Sequence, residues 1–359
     1  MPDQTVLIDA GWFVGRWRRH LRTKRGLLAR MLAGASRGNV SRQKVIGLGR
    51  RYIGQDLKYI HFRLRQHGLN SADIILCYDG THARQRRGEL FNTYKANRIL
   101  VHPDATESEA RELIESYTAA DKTIPDMRDH FNGYGFDPNL GKGWTFRYLE
   151  THEADDLIAE YVVAAPSSEE ITIITADSDL WQLLEYPNVS ILDPTEGDHL
   201  RSIITPADVM DRYGVSCEHY ADWKALAGDT SDNLPGIPNV GKRGATALVA
   251  EHGTLEDIPD EIFQYGHISE NWESNISTHL LAWIKKQTKR GGGKVTDDLL
   301  KSRHGALLLE LRDGSNPVRP TKFYERLVDA KAIPADSWEK VNLRATANLY
   351  RRLIRLPFE

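Results

Sequence analysis

The sequence predicts an α/β protein: a mainly parallel central sheet flanked by helices, followed by a helical C-terminal region. Two patterns predict the sheet. From Val6 to Pro194, short β-branched apolar runs alternate with segments of helical spacing, as in successive βαβ units. Nearly every such run also finishes on or just before a carboxylate. A third observation sets the second half apart: beyond Thr205 the apolar residues recur mainly at helical steps.

Taken in order, VLIDA (Val6–Ala10) reads as a buried strand carrying Asp9 at its end. A helix rich in arginine runs from about Val40 to His67, and DIILCYDG (Asp73–Gly80) is a second strand ending in Asp79. A polar, weakly periodic stretch extends from Thr81 to about Gly143. WTFRYLE (Trp144–Glu150) is the third strand, and ADDLIAEYVVAA (Ala154–Ala165) a helix with an acidic first turn. ITIITAD (Ile171–Asp177) is the fourth strand, DLWQLLE a short helix, and VSILDP (Val189–Pro194) the fifth strand. The turn-rich GDTSDNLPGIPNVGKRG (Gly228–Gly244) lies within the helical half, RGGGK (Arg290–Lys294) is a flexible break, and Ser337 to Glu359 is a basic helical tail. The expected division is 1–204, 205–336 and 337–359.

In open α/β sheets ligands collect at the carboxyl ends of the strands. Asp9, Asp79, Asp177 and Asp179 are therefore expected to converge, with Glu153, Asp155 and Asp156 just past another strand. On an extended chain Asp177 and Asp179 share a face. Like charges about 4 Å apart repel by roughly 4 kcal/mol at an effective dielectric of about 20. Hard divalent cations with oxygen ligands relieve such crowding, which points to two Mg2+ ions, with Mn2+ as a substitute. Any one of these acids alone is as well explained as a helix cap or dipole partner; their recurrence across five segments is not.

The net charge of −3 conceals segregation. Arg16 to Arg65 carries fifteen Lys and Arg against one acid, Asp56, whereas Asp104 to Asp129 carries eight acids against three basic residues. Such asymmetry points to a polyanionic partner for the basic half. No apolar run is long enough to span a bilayer, and two cysteines, Cys77 and Cys217, make no disulfide framework, so a reducing cytoplasm is expected.

The ordered motifs LIDA, YDG, EADD, TADSD and GDTSDN, followed by GIPNVGKRGA, resemble the 5′-nuclease family of flap endonucleases and 5′–3′ exonucleases, over about Val6 to Asp257. The resemblance is to the stand-alone enzymes, of phage type, and to the N-terminal domain of bacterial DNA polymerase I. It implies a PIN-like core, a helical arch over about 84–143 and a helix–turn–helix clamp on duplex DNA at about 228–250. It also implies Asp9, Asp79, Glu153 and Asp155 at one ion and Asp177, Asp179 and Asp229 at the other, with Asp156 and Asp232 holding metal-bound waters. The implied reaction is phosphodiester cleavage near 5′ ends of DNA, and of RNA in RNA–DNA hybrids, in replication or repair, leaving a 5′-phosphate and a 3′-hydroxyl.

In RQRRGELFNTYKANR (Arg84–Arg98), helical steps place Arg87, Phe91, Tyr94, Lys95 and Arg98 on one face. The resemblance makes Lys95 and Arg87 the stabilisers of transition-state charge, Arg84 and Arg98 DNA contacts, and Tyr94 a stacking ring. In the clamp, Gly236 and Gly241 relieve crowding in the turn, while Lys242 and Arg243 add charge beside a helix start. The family places a monovalent cation at this turn, so K+ is a further expectation. His152 is read as structural, since two-metal nucleases need no histidine, and Trp12 and Trp17 as core residues with DNA contact the lesser reading. The chain is expected to act as a monomer; whether the tail from Ser337 docks on a single-strand-binding protein or sliding clamp stays open in the sequence. A PIN-like ribonuclease is the alternative enzyme, disfavoured by GIPNVGKRGA, and a catalytically silent DNA-junction binder the alternative class, disfavoured by the complete acid set.

Overall fold

The computed structural model describes residues 3–23, 42–69, 71–95, 120, 122–127, 144–194, 202–237, 240–263 and 343–358. The chain groups into two compact units, one of Met1–Glu89, Lys95–Tyr220 and Arg355–Glu359, the other of Leu90–Tyr94 and Ala221–Ile354. This grouping differs from the sequence division. The break falls at Tyr220, and the last residues of the chain return to the first unit.

The first unit is built on β1 (Gln4–Asp9), β2 (Asp73–Cys77), β3 (Trp144–Arg147), β4 (Glu170–Ile174), β5 (Val189–Asp193) and β6 (Ser202–Ile204). Their order is β3-β2-β1-β4-β5-β6. The first five are parallel, and β6 closes the edge antiparallel to β5. The sequence pattern does not reveal β6, because three residues are too few for a period and Ile203 is 53% exposed.

Helices α1 (Ala10–Thr23) and α2 (Arg42–Gln66) carry the apolar stripe that covers one face. Ile53, Leu57, Ile60 and Leu64, spaced at three- and four-residue steps, are buried in one cluster with Phe13, Val6 and Ile8 of β1, and Ile74 and Leu76 of β2. Full burial of each such side chain favours folding by about 1.5–3 kcal/mol. Trp12 and Trp17 are buried too, which assigns both to the core and removes them as DNA contacts. Among the described helices none is long and apolar enough to cross a membrane.

Helix α3 (Gln85–Leu90) is only six residues long. The expected helical face through Lys95 does not form: turns follow Leu90, and Lys95 adopts φ 54°, a left-handed conformation unusual for a side chain with a Cβ. Arg98 and most of the expected arch, 96–119 and 128–143 among it, lie outside the described residues. Helix α4 (Ala154–Ala164) follows β3, burying Leu157, Ile158 and Val162, and a 3-10 helix (Ser178–Glu185) follows β4. Helix α5 (Pro206–Tyr213) follows β6.

The second unit holds most of α6 (Tyr220–Ala227), then α7 (Gly241–His252) and α8 (Leu343–Ile354). Trp223 Nε1 donates to Thr246 Oγ1 at 2.9 Å, tying α6 to α7. Of the basic tail, α8 buries Leu343, Ala347, Tyr350, Leu353 and Ile354, so its apolar side is used within the fold.

Candidate metal centre and duplex clamp

The strand order reverses at β1, between β2 and β4, and this is where an open α/β sheet leaves a crevice at its carboxyl end. Asp9 ends β1 there, 9% exposed. The Gly11 backbone N–H donates to its Oδ1 at 2.8 Å and Thr175 Oγ1 to its Oδ2 at 3.2 Å. The same Thr175 hydroxyl accepts from the Asp177 N–H at 2.9 Å, so one side chain sets the spacing of both carboxylates. Asp79 lies two residues beyond β2, and its Oδ1 accepts from the Ala154 N–H, at the start of α4, at 2.9 Å. Gly80 beside it is required by close backbone approach: a Cβ there would lie 2.2 Å from the carbonyl oxygens of both Leu149 and Glu150. Asp155 projects from the first turn of α4.

Asp177 and Asp179 do not share the face of a strand, as extended spacing suggests. Strand β4 ends at Ile174, and Asp177 caps the following 3-10 helix, accepting the Asp179 N–H at 2.9 Å. Asp177 lies close enough to Asp9 and Asp155 for its charge to raise both carboxyls.

Burial, and after it the charges of Asp79 and Asp177, push the Asp9 carboxyl up to about 7 from its ordinary 3.8. Asp155 is also raised well above the usual carboxylate range, by burial first and then by Asp177 and Asp9, with Lys95 pulling the other way. Oxygen donors this crowded, with Asp9 and Asp79 held by backbone and hydroxyl donors, suit a hard divalent ion. The residues present fit the metal that the sequence motifs imply.

Beneath this group lies a second layer that has its own cations. Arg87 is 2% exposed and forms a two-pronged bond to Asp156, Nη1 to Oδ2 at 2.9 Å and Nη2 to Oδ1 at 2.7 Å, with Glu153 Oε2 3.1 Å from Nη1. Lys95 Nζ reaches both Glu153 oxygens, at 2.9 and 3.0 Å. Asp156 also accepts the Glu153 and Phe358 backbone N–H groups at 3.1 and 3.3 Å. Two expected roles are corrected here. Arg87 is buried in ion pairs and does not present itself to a phosphate, and each Asp156 oxygen already accepts two hydrogen bonds, leaving it no role in holding a metal-bound water.

In the second unit the acids are likewise partnered. Lys224 Nζ bonds Asp229 Oδ2 at 2.6 Å, and Ser231 supplies its N–H at 2.8 Å and Oγ at 2.6 Å to Oδ1. Burial works to raise Asp229, but the Lys224 charge and hydrogen bond, with Ser231, hold it below the usual range. Tyr94 is buried and donates its hydroxyl to Asp232 Oδ2 at 2.9 Å, so it anchors an acid and is not an open stacking ring. Asn233 Nδ2 donates to Thr93 O at 2.8 Å.

The clamp sequence forms a turn into α7. Gly228 and Gly236 both have positive φ and meet backbone to backbone; a Cβ on Gly236 would lie 2.5 Å from Gly228 N. Gly241, at φ +57°, has no neighbour among the described residues within 4 Å of such a Cβ, and its left-handed backbone is the reason a glycine suits this position. Lys242 and Arg243 are exposed at the start of α7, and Arg84 is exposed as well. His152 is turned to Glu160, with Nε2 3.3 Å from Oε1, in keeping with a structural role. Sequence reading missed Thr175, Lys224 and Phe358. Thr175 sits inside TADSD and was within reach of its motif; Lys224 and Phe358 carry no local signal.

Two family profiles match the chain in tandem: "5'-3' exonuclease, N-terminal resolvase-like domain" over residues 57–214 and "5'-3' exonuclease, C-terminal SAM fold" over residues 215–289. Among similar proteins, a 5'-3' exonuclease of Streptomyces coelicolor is 31% identical over 52% of this chain and 57% of its own length. The thermostable DNA polymerase I of Thermus thermophilus is 43% identical over 52% of this chain but 19% of its own length. The matches thus span between 14% and 57% of these and the mycobacterial polymerase I relatives. The crystal structure of T5 D15 protein co-crystallized with metal ions shares the fold, with a TM-score of 0.50 at 16% identity over 97% of this chain and 99% of that one. With both profiles spanning most of the chain in the family's own order, and the fold shared, the chain belongs to the 5′–3′ exonuclease family.

Proposed function

We propose that the protein is a divalent-metal-dependent, structure-selective 5′ nuclease that cleaves phosphodiesters near the 5′ ends of DNA, as a 5′–3′ exonuclease and flap endonuclease. The observation that carries this is the crowding of Asp9, Asp79, Asp155 and Asp177 at the switch point, where burial and mutual repulsion push Asp9 and Asp155 up and Lys95 draws Asp155 back in part. These four residues would hold Mg2+, or Mn2+ in its place; a second ion with Asp179 and Asp229 rests on the family resemblance. When bound, the ions supply activation of water and charge stabilisation at the leaving oxygen.

The chain's own residues do the remainder. Lys95 places a cation beside the carboxylates, where it can stabilise charge on the reacting phosphate. Arg87 and Asp156 fix the start of α4, and with it Asp155. Lys242, Arg243 and the α7 N-terminus grip duplex phosphates without reading bases, which makes the selectivity one of structure. Arg84 and Arg98 are assigned to the single-stranded end and K+ to the clamp turn. RNA–DNA hybrids, a role in replication or repair, partnership with a single-strand-binding protein or sliding clamp, action as a monomer and a cytoplasmic setting belong to the same reading.

The test is a 5′-labelled flap incubated with Mg2+ and then with EDTA. Cleavage near the branch that EDTA stops is the expected result. If no 5′-ended DNA or hybrid is cut, only the junction-binding reading survives.

A further inference from the structure

The last described residues of the chain occupy a place that the family motifs leave unassigned. Phe358 is 5% exposed, and its ring centroid lies 4.5 Å from the Arg87 guanidinium carbon and 4.9 Å from that of Arg86. Its carbonyl accepts from Arg86 Nη2 at 2.9 Å, and its N–H donates to Asp156 Oδ1 at 3.3 Å, across 202 positions of sequence. Two residues earlier, the Leu356 N–H donates to Gln182 Oε1 at 2.9 Å, and Gln182 Nε2 donates to the Asp179 carbonyl at 2.7 Å. Residues 356–358 therefore bridge the two elements that carry carboxylates, α4 and the 3-10 helix after β4.

We propose that Phe358 is a positioning residue of the metal centre: its ring covers the buried Arg87 guanidinium and holds the Arg87–Asp156–Glu153 network that sets Asp155. A buried guanidinium that loses a covering ring gains room to swing or to admit water, and its bonds to Asp156 and Glu153 loosen. Groups that orient metal ligands affect affinity and rate although they touch neither metal nor substrate. The proposal rests on the nuclease reading, but part of its test does not.

The experiment uses the full chain carrying Phe358→Leu, which keeps apolar bulk, with Phe358→Ala and Phe358→Tyr alongside. Mn2+ affinity is measured by calorimetry, kcat and KM on a 5′ flap, and Tm by thermal melting, with assays run well below each Tm. Leu and Ala should each weaken Mn2+ binding and lower kcat by about 10-fold, while the KM for DNA stays within about twofold and Tyr restores both. Phe358→Leu with wild-type Mn2+ affinity and kcat overturns the proposal, whatever its Tm; so does a loss that appears only as KM. Calorimetry separates the two claims: wild-type protein that binds Mn2+ but cuts nothing sinks the nuclease reading alone, and the affinity ratio still decides the role of Phe358.

Discussion

The two units treat buried carboxylates in opposite ways. In the second, the protein supplies the counter-charge for Asp229: Lys224 and Ser231 hold it below its ordinary range against the effect of burial. Asp222 is the partial exception, raised by burial while Arg351 at 3.1 Å draws it back. In the first unit Asp9 and Asp155 are crowded by like charges. A fold that can pair acids with arginines and lysines, and does so one layer below with Arg87, sets like charges against one another here, with Lys95 offsetting Asp155 only in part. The difference separates acids whose charge the chain itself offsets from acids crowded by their own kind, where an external ion has the most repulsion to relieve.

The sharpest way to break that comparison is to remove a crowded acid. Asp177→Asn should cut turnover by about a thousandfold or more while duplex binding survives, seen as single-turnover flap cleavage against fluorescence anisotropy. Unchanged cleavage would take Asp177 out of the metal centre. Next in size are the paired acids. Arg87→Ala leaves the buried Asp156 charge without its guanidinium partner, while Glu153 keeps Lys95, and should cost about 3–5 kcal/mol in urea unfolding. Lys224→Ala should cost less, about 1–3 kcal/mol, because Asp229 keeps its Ser231 bonds. The reverse ranking would mean that the two layers differ less than their geometry indicates.

The metal-free protein offers a third test. The folded Asp9 carboxyl sits at about 7, raised by burial and then by Asp79 and Asp177, above the 3.8 of an unfolded chain. The native state therefore holds that proton more tightly; the stability it contributes is full below about 3.8 and is lost as pH rises through about 7. In EDTA, Tm should fall between about pH 5 and about pH 7.5. Mg2+ at about 100 times its Kd should return about 2.7 kcal/mol, most visibly at the upper end. A Tm in EDTA that is flat across this range would show that the carboxylates are not crowded in solution.

How much of this was legible depended on how locally each feature is encoded. The five parallel strands and α2 follow from runs and steps visible in the sequence, and the acids at the sheet's carboxyl end from their position on those strands. What stayed hidden depends on residues distant in sequence. Arg87 lies on a basic stretch that reads as a phosphate clamp, and only the packing of α4 and Phe358 shows its guanidinium turned inward. Tyr94 misleads in the same way, since its partner Asp232 is 138 positions away. Strand β6 was missed for the opposite reason: three residues hold too little pattern.

The smallest expected effect sharpens the comparison from the other side, by changing charges that no acid partners need. Lys242 and Arg243 are exposed at the first turn of α7, where the leading N–H groups of a helix lack intrahelical acceptors. If they bind phosphates, each releases roughly one counterion on binding, so Lys242→Ala with Arg243→Ala should flatten the slope of log K against log salt by about 0.9 for each phosphate no longer neutralised. Affinity for duplex should drop, while kcat on saturating flap stays near wild type, because neither residue belongs to the carboxylate site. Such a pattern mirrors Asp177→Asn, which is expected to lose chemistry and keep binding. A double variant with an unchanged salt slope would move the duplex grip to another basic surface, of which the arginine-rich α2 is the first to examine.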